Sequence, residues 1–150
     1  MKKIILSADS TCDLSLPLKE KYSVSYYPFH IVLGDKSYAD NVDITADEIY
    51  RAWWDKKLLP KTAAINIAEY QEYFKQFTDQ GFEVIHLNLG GALSSSAENA
   101  RLAAESLPGV YTVNSKNLST GIGHLVMRAG DMIAAGELSA AEIADKLREI

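Results

Sequence analysis

The chain has 150 residues, 47% hydrophobic and 23% charged, with a net charge of -5; that is one domain of ordinary globular composition, long enough to bury roughly 68–70% of its unfolded surface without staples. The negative charge and the lack of a basic run exclude nucleic acid as the expected partner. A single cysteine, Cys12, excludes an internal disulfide, and no stretch nears the roughly 20 apolar residues of a membrane span, so the reading is a soluble, cytoplasmic protein with no membrane insertion.

"KKIILSAD" opens the chain as a short apolar run ending in a turn. It reads as a first buried strand and is too short for a signal peptide. Pro17 opens a short helix over "PLKEKY", with Ser15 as its cap. "VSYYPFHIVLG" is β-branched and aromatic, hence strand, with Pro28 imposing an edge or a bend. Gly34-Asp35-Lys36 then turns into "SYAD".

Reciprocal caps of the form S/T/N-x-x-E mark the helix starts that follow: Thr45 with Glu48, Asn66 with Glu69, Ser95 with Glu98 and Ser139 with Glu142. In each, the first side chain accepts from an orphan amide and the glutamate reaches back. They predict helices near 46–57, 67–80, 96–106 and 140–150. "FEVIHLNL" (82–89) and "GVYTVN" (109–114) are continuous apolar runs, as parallel strands covered on both faces require. Residues 120–135 read as a further helix. The order implies an α/β fold: a layered open sheet, mostly parallel, with helices on both faces. The closing helix carries Ile143, Leu147 and Ile150 at helical spacing and stops there without a terminal glycine. The expectation is that residues 1–150 are an N-terminal domain cut from a longer protein.

In open α/β sheets, ligands sit beyond the carboxyl ends of the strands. The loops expected around that mouth are 8–13, 59–66, 90–96 and 114–121, rich in Ser, Thr and Asn, with Lys61 and Lys116 as their cations. The third opens the stretch "LNLGGALSSSAENA" (87–100), a strand, a glycine-serine loop and a helix start. No lysine lies between residues 77 and 115, so it is not a P-loop. Gly121-Ile122-Gly123 lacks the last glycine of a dinucleotide fingerprint, and no serine sits in a G-x-S-x-G elbow. What remains is backbone amides and a helix N-terminus that favour an anion.

With Ser95 assigned as the cap, Ser94 is free to face the cleft, and Thr62 likewise has no capping duty. A loop hydroxyl of this kind more often bonds local backbone, so both roles stay open for Ser94. His30, His86 and His124 match no metal motif and read as structural; no metal or cofactor is expected. Cys12 lies in a turn with no base nearby and is not expected to be a nucleophile. Asp9 and Asp13 read as turn or cap residues. Trp53 and Trp54 point about 100° apart on one helix, so at most one is expected to be fully buried.

These loops, in order, resemble the DegV family of bacterial lipid-binding proteins. "DSTCDLS" (9–15) looks like its opening Asp-Ser-x-x-Asp-Leu, and "YPFHIVLGDKSYADNVDITADEIYRAW" (27–53) follows its strand, turn and helix entry. "LPKTAAIN" (59–66) resembles its Pro-x-Thr-Ser-Gln-Pro-Ser, "GGALSSSAENARLAAE" (90–105) its Leu-Ser-Gly-Thr loop and helix, and "VNSKNLSTGIGHLVMRA" (113–129) its Val-Asp-Ser helix start. The resemblance implies a DegV-like N-terminal domain whose second domain is absent here. It further implies a long-chain fatty acid held between the two domains, its tail in an apolar cleft and its carboxylate on Thr62 and Ser94. Ser10, Gly91, Leu93, Ser95 and Asn114 would support those loops. The family's role implies a carrier that presents the acid to a fatty acid kinase catalytic subunit, with no catalytic residue of its own. The chain departs from the pattern at Ala63-Ala64-Ile65, at Ser95 in place of glycine and at Asn114 in place of aspartate. The competing readings are a small transferase or hydrolase using Ser94, and an interaction domain that holds no lipid.

Overall fold

A computed structural model describes residues 3–150 of the chain. The elements run β1 (Ile4–Asp9), a 3-10 turn (Ser10–Cys12), α1 (Leu16–Lys21), β2 (Ser25–Tyr27), β3 (His30–Leu33), β4 (Lys36–Ala39) and α2 (Ala46–Lys56). They continue with β5 (Lys61–Ala63), α3 (Ile67–Thr78), β6 (Glu83–Asn88), α4 (Ser96–Glu105), β7 (Val110–Asn114), α5 (Thr120–Ala135) and α6 (Ala140–Arg148). A parallel sheet has the order β2-β1-β6-β7. An antiparallel sheet, β4-β3-β5, stands beside it.

In β6, every residue from Val84 to Asn88 is buried. Side chains alternate along a strand, so burial of both parities means that both faces of the sheet are covered. On one face, Tyr70, Tyr73 and Phe74 of α3 pack their rings around His86, with α4 alongside. On the other, α5 and α6 pack on each other and on the sheet through Ile122, Val126, Ala129, Ile143, Ala144 and Leu147. Each fully buried Leu, Ile or Phe contributes about 1.5–3 kcal/mol relative to exposure, and this core is the main source of stability. Gly123 lets α5 lie close against the turn after β1: a Cβ there would stand 2.9 Å from the Cys12 carbonyl oxygen. Gly123→Ala therefore costs about 1–3 kcal/mol by overpacking, in spite of alanine's higher helix propensity. An undiminished urea midpoint would contradict that packing.

The α/β class, the parallel sheet and the helices on both faces match the expectation. Two stretches differ. "VSYYPFHIVLG" is divided between the sheets: β2 joins β1, β3 starts the antiparallel sheet, and Pro28 lies at the crossing. Residues 61–63, read as loop, form β5; their strand character comes from pairing with β3, not from any pattern of their own.

The caps show one correction. Thr45, Asn66 and Ser139 close their boxes with Glu48, Glu69 and Glu142. Ser95 does not cap: its backbone is already helical (φ -70, ψ -7) and its side chain makes no cap bond. Ser94 takes the duty, its Oγ accepting from Ser96 N at 3.2 Å. Because the turn starts one residue early, Glu98 is too far along to reach back; it accepts instead from Arg101, at 2.7 and 2.9 Å. Neither tryptophan is buried, which is within the expectation of at most one.

Candidate functional site: an apolar cleft edged by hydroxyls

Beyond the carboxyl ends of β1, β6 and β7 lies an open cleft of about 440 Å³. Phe29, Leu89, Leu93 and Leu118 give it apolar walls, and Thr11, Thr62, Ser94 and Ser95 line it as well. Leu93 and Leu118 are 63% and 54% exposed, so the cleft presents apolar side chains to solvent.

Thr62 reaches the cleft from β5, opposite Ile31 of β3. Ser94 reaches it from the N-terminus of α4, where the first amides and the helix dipole favour negative charge. One buried side chain connects the two segments. Ser96 Oγ accepts from Ser94 Oγ at 3.0 Å and from Ile65 N at 3.1 Å. Asn99 Nδ2 donates to Ile65 O at 2.8 Å. α4 thus grips both polar groups of Ile65, which fixes the segment after Thr62 against the helix that Ser94 caps.

Of the supporting residues, Leu93 and Ser95 line this cleft. Ser10 lies behind it: its Oγ donates to Asp40 Oδ2 at 2.6 Å and accepts from Phe29 N at 3.1 Å, which anchors the Phe29 wall. Gly91 and Asn114 sit elsewhere, in a separate groove with Arg101 and Arg148. Asn114 Oδ1 accepts from Gly91 N and Lys116 N, both at 3.0 Å, and so pins the two loops together.

Asp9 corrects the sequence reading of a turn or cap residue. It is fully buried at the end of β1. Its Oδ1 accepts from Tyr70 OH (2.8 Å) and lies 3.1 Å from His86 Nε2; its Oδ2 accepts from Leu89 N (2.8 Å) and Asn88 Nδ2 (3.4 Å). Burial and the Asp9 charge raise the Tyr70 pKa far above the ordinary value, so the phenol stays a donor. The network continues from His86 Nδ1 to Ser7 Oγ (2.8 Å) and from there to Tyr73 OH (2.7 Å). The signal was present in strand parity: Ser7 and Asp9, and His86 and Asn88, are the polar residues on one face of two apolar strands.

Ser7, His86 and Asp9 have the connectivity of a hydrolase triad. All three are fully buried, and Ser7 is also held by Tyr73, so no substrate reaches that hydroxyl. No histidine bonds Ser94. His30 instead meets Glu69 at 2.7 Å. Cys12 is buried, which pushes its thiol pKa up and keeps it unreactive. Among the described residues, no His, Cys, Asp and Glu cluster could hold a metal ion, and no helix is long and apolar enough to cross a membrane.

A family model described as "Uncharacterised protein, DegV family" matches residues 3–150. The chain belongs to the DegV family. A DegV domain-containing protein of Clostridium perfringens is 32% identical over 138 residues, 91% of this chain and 50% of that one. Among solved structures, one described as a stearic-acid-binding protein from Eubacterium ventriosum is 33% identical, with a TM-score of 0.82 over 98% of this chain and 52% of that one. Another, described by the fatty acid binding of a DegV family protein from Thermus thermophilus, is 27% identical, with a TM-score of 0.83 over 98% and 54%. This DegV-family chain therefore spans about half the length of the relatives it matches.

Proposed function

We propose that this DegV domain binds a long-chain fatty acid in the cleft, with the carboxylate on Thr62 and Ser94 and the acyl chain against Phe29, Leu89, Leu93 and Leu118. The observation that carries the reading is that Thr62 and Ser94, from separate segments, border one cleft whose walls are largely apolar. The hydrogen-bond arithmetic supports it. The proton of Ser94 is donated to Ser96 Oγ, which also accepts from Ile65 N. Turning that proton to a carboxylate leaves Ser96 still paired. Hydrogen bonds to a charged group contribute about 1.5–3 kcal/mol each, enough to orient a head group without a full counter-charge. The tail dominates affinity, at about 0.8 kcal/mol per buried CH₂.

A head group held by hydroxyls is readily released. The domain then serves in the cytoplasm as a non-catalytic carrier that hands the acid to a fatty acid kinase subunit, which makes the acyl phosphate. The test is organic extraction and mass spectrometry of the full product of the gene, purified under native conditions. A long-chain acid near one equivalent is expected; protein that carries none, and takes up none when offered it, would overturn the reading.

A further inference from the structure

Thr11 stands in the 3-10 turn after β1 and borders the same cleft as Thr62 and Ser94. Its backbone carbonyl is used, accepting from Ser119 N at 3.1 Å. Its side chain is not: Thr11 Oγ1 is enclosed and has no hydrogen-bond partner. Tyr26 OH and Asn88 Oδ1 share that condition, and neither residue lines the cleft. An enclosed hydroxyl without a partner destabilises a fold, and valine would fill the same space without one. The neighbours in the turn are committed: Ser10 bonds Asp40 and Phe29, and Cys12 is buried. Thr11 alone among the three holds an unspent donor beside the cleft.

We propose that Thr11 is a third head-group residue, donating to the fatty-acid carboxylate beside Thr62 and Ser94. The inference rests on the proposed function and adds a ligand-contacting side chain to it. Thr11 is only partly buried. A step of about 120° in χ1 moves the oxygen out of its enclosed corner, to the position now held by the methyl group or by the Cβ hydrogen, and binding of the carboxylate would select the rotamer that faces the cleft. A carboxylate offers about four lone-pair sites, so a third donor finds room. The turn itself is held in place by the Ser119 bond and by the close approach of Gly123 to Cys12.

The test uses the full gene product, stripped of lipid and titrated with palmitate and with 1-hexadecanol, for the parent protein, Thr11→Val and Thr11→Ser. Thr11→Val should leave the ligand-free thermal midpoint unchanged or higher, because it removes an unpaired polar group. Its palmitate affinity should fall about tenfold, the size of one charge-assisted hydrogen bond, with a much smaller change for hexadecanol. Thr11→Ser should restore palmitate binding. A merely structural threonine cannot give this pattern, in which stability holds while acid recognition drops. Thr11→Val binding palmitate like the parent, while Thr62→Ala with Ser94→Ala loses it, would overturn the inference and leave the function standing. A lowered midpoint with equal losses for both ligands would also overturn it, as a packing role. No palmitate binding by the parent would overturn the proposed function itself.

Discussion

Asp9→Asn should unfold at a urea midpoint well below that of the parent protein, with a loss of about 3–5 kcal/mol. The substitution keeps the shape of the side chain, so little of the loss comes from packing. It removes a buried acceptor on which Tyr70, His86, Leu89 and Asn88 converge. An amide accepts at one end only. Whichever way it turns, its NH₂ faces either the Leu89 amide or the Tyr70 and His86 pair. Each buried donor left without a partner costs about 1–3 kcal/mol, more where the lost partner was charged. The effect should reach the cleft as well, because Leu89, one of its walls, is tied to Asp9 through its own N–H. A loss below about 1 kcal/mol would show that the network is dispensable for folding.

Much of the fold was legible because it is local. The helix expected at about 120–135 is α5, and three capping boxes form where their sequence signature stands. What was hidden depends on partners distant in the chain. β5 exists because β3 offers it an edge, and nothing in Lys61-Thr62-Ala63 announces that. The Ser95 cap failed for a subtler reason: the helix enters one residue early, which moves the duty to Ser94 and frees Glu98 for Arg101. Ser94 is therefore both a cap and a cleft residue, roles that the sequence had placed on separate serines. Asp9 has the local surroundings of a turn, while its partners come from α3 and β6, out of reach of a local reading. The convergence of Thr62 and Ser94 on one cleft follows from the stacking of two segments through Ser96 and Ile65, which no spacing in the chain encodes.

The second large effect concerns the head group. Thr62→Ala with Ser94→Ala removes both hydroxyls proposed to bind it, together worth at least about 3 kcal/mol, or roughly a hundredfold in affinity for the ionised acid. Ser94→Ala also removes the cap of α4, which costs about 1 kcal/mol of stability and is read separately by the thermal midpoint. The apolar walls are untouched, so the binding of a neutral chain of the same length should survive.

That contrast gives the most direct test of the claim that Thr62 and Ser94 hold a fatty-acid carboxylate: the ratio of dissociation constants for palmitate and 1-hexadecanol, measured by calorimetry on the lipid-free full gene product and on the double variant. The predicted result is a strong preference of the parent for the acid, lost in the double variant with the alcohol affinity retained. A double variant that binds palmitate as tightly as the parent would contradict it.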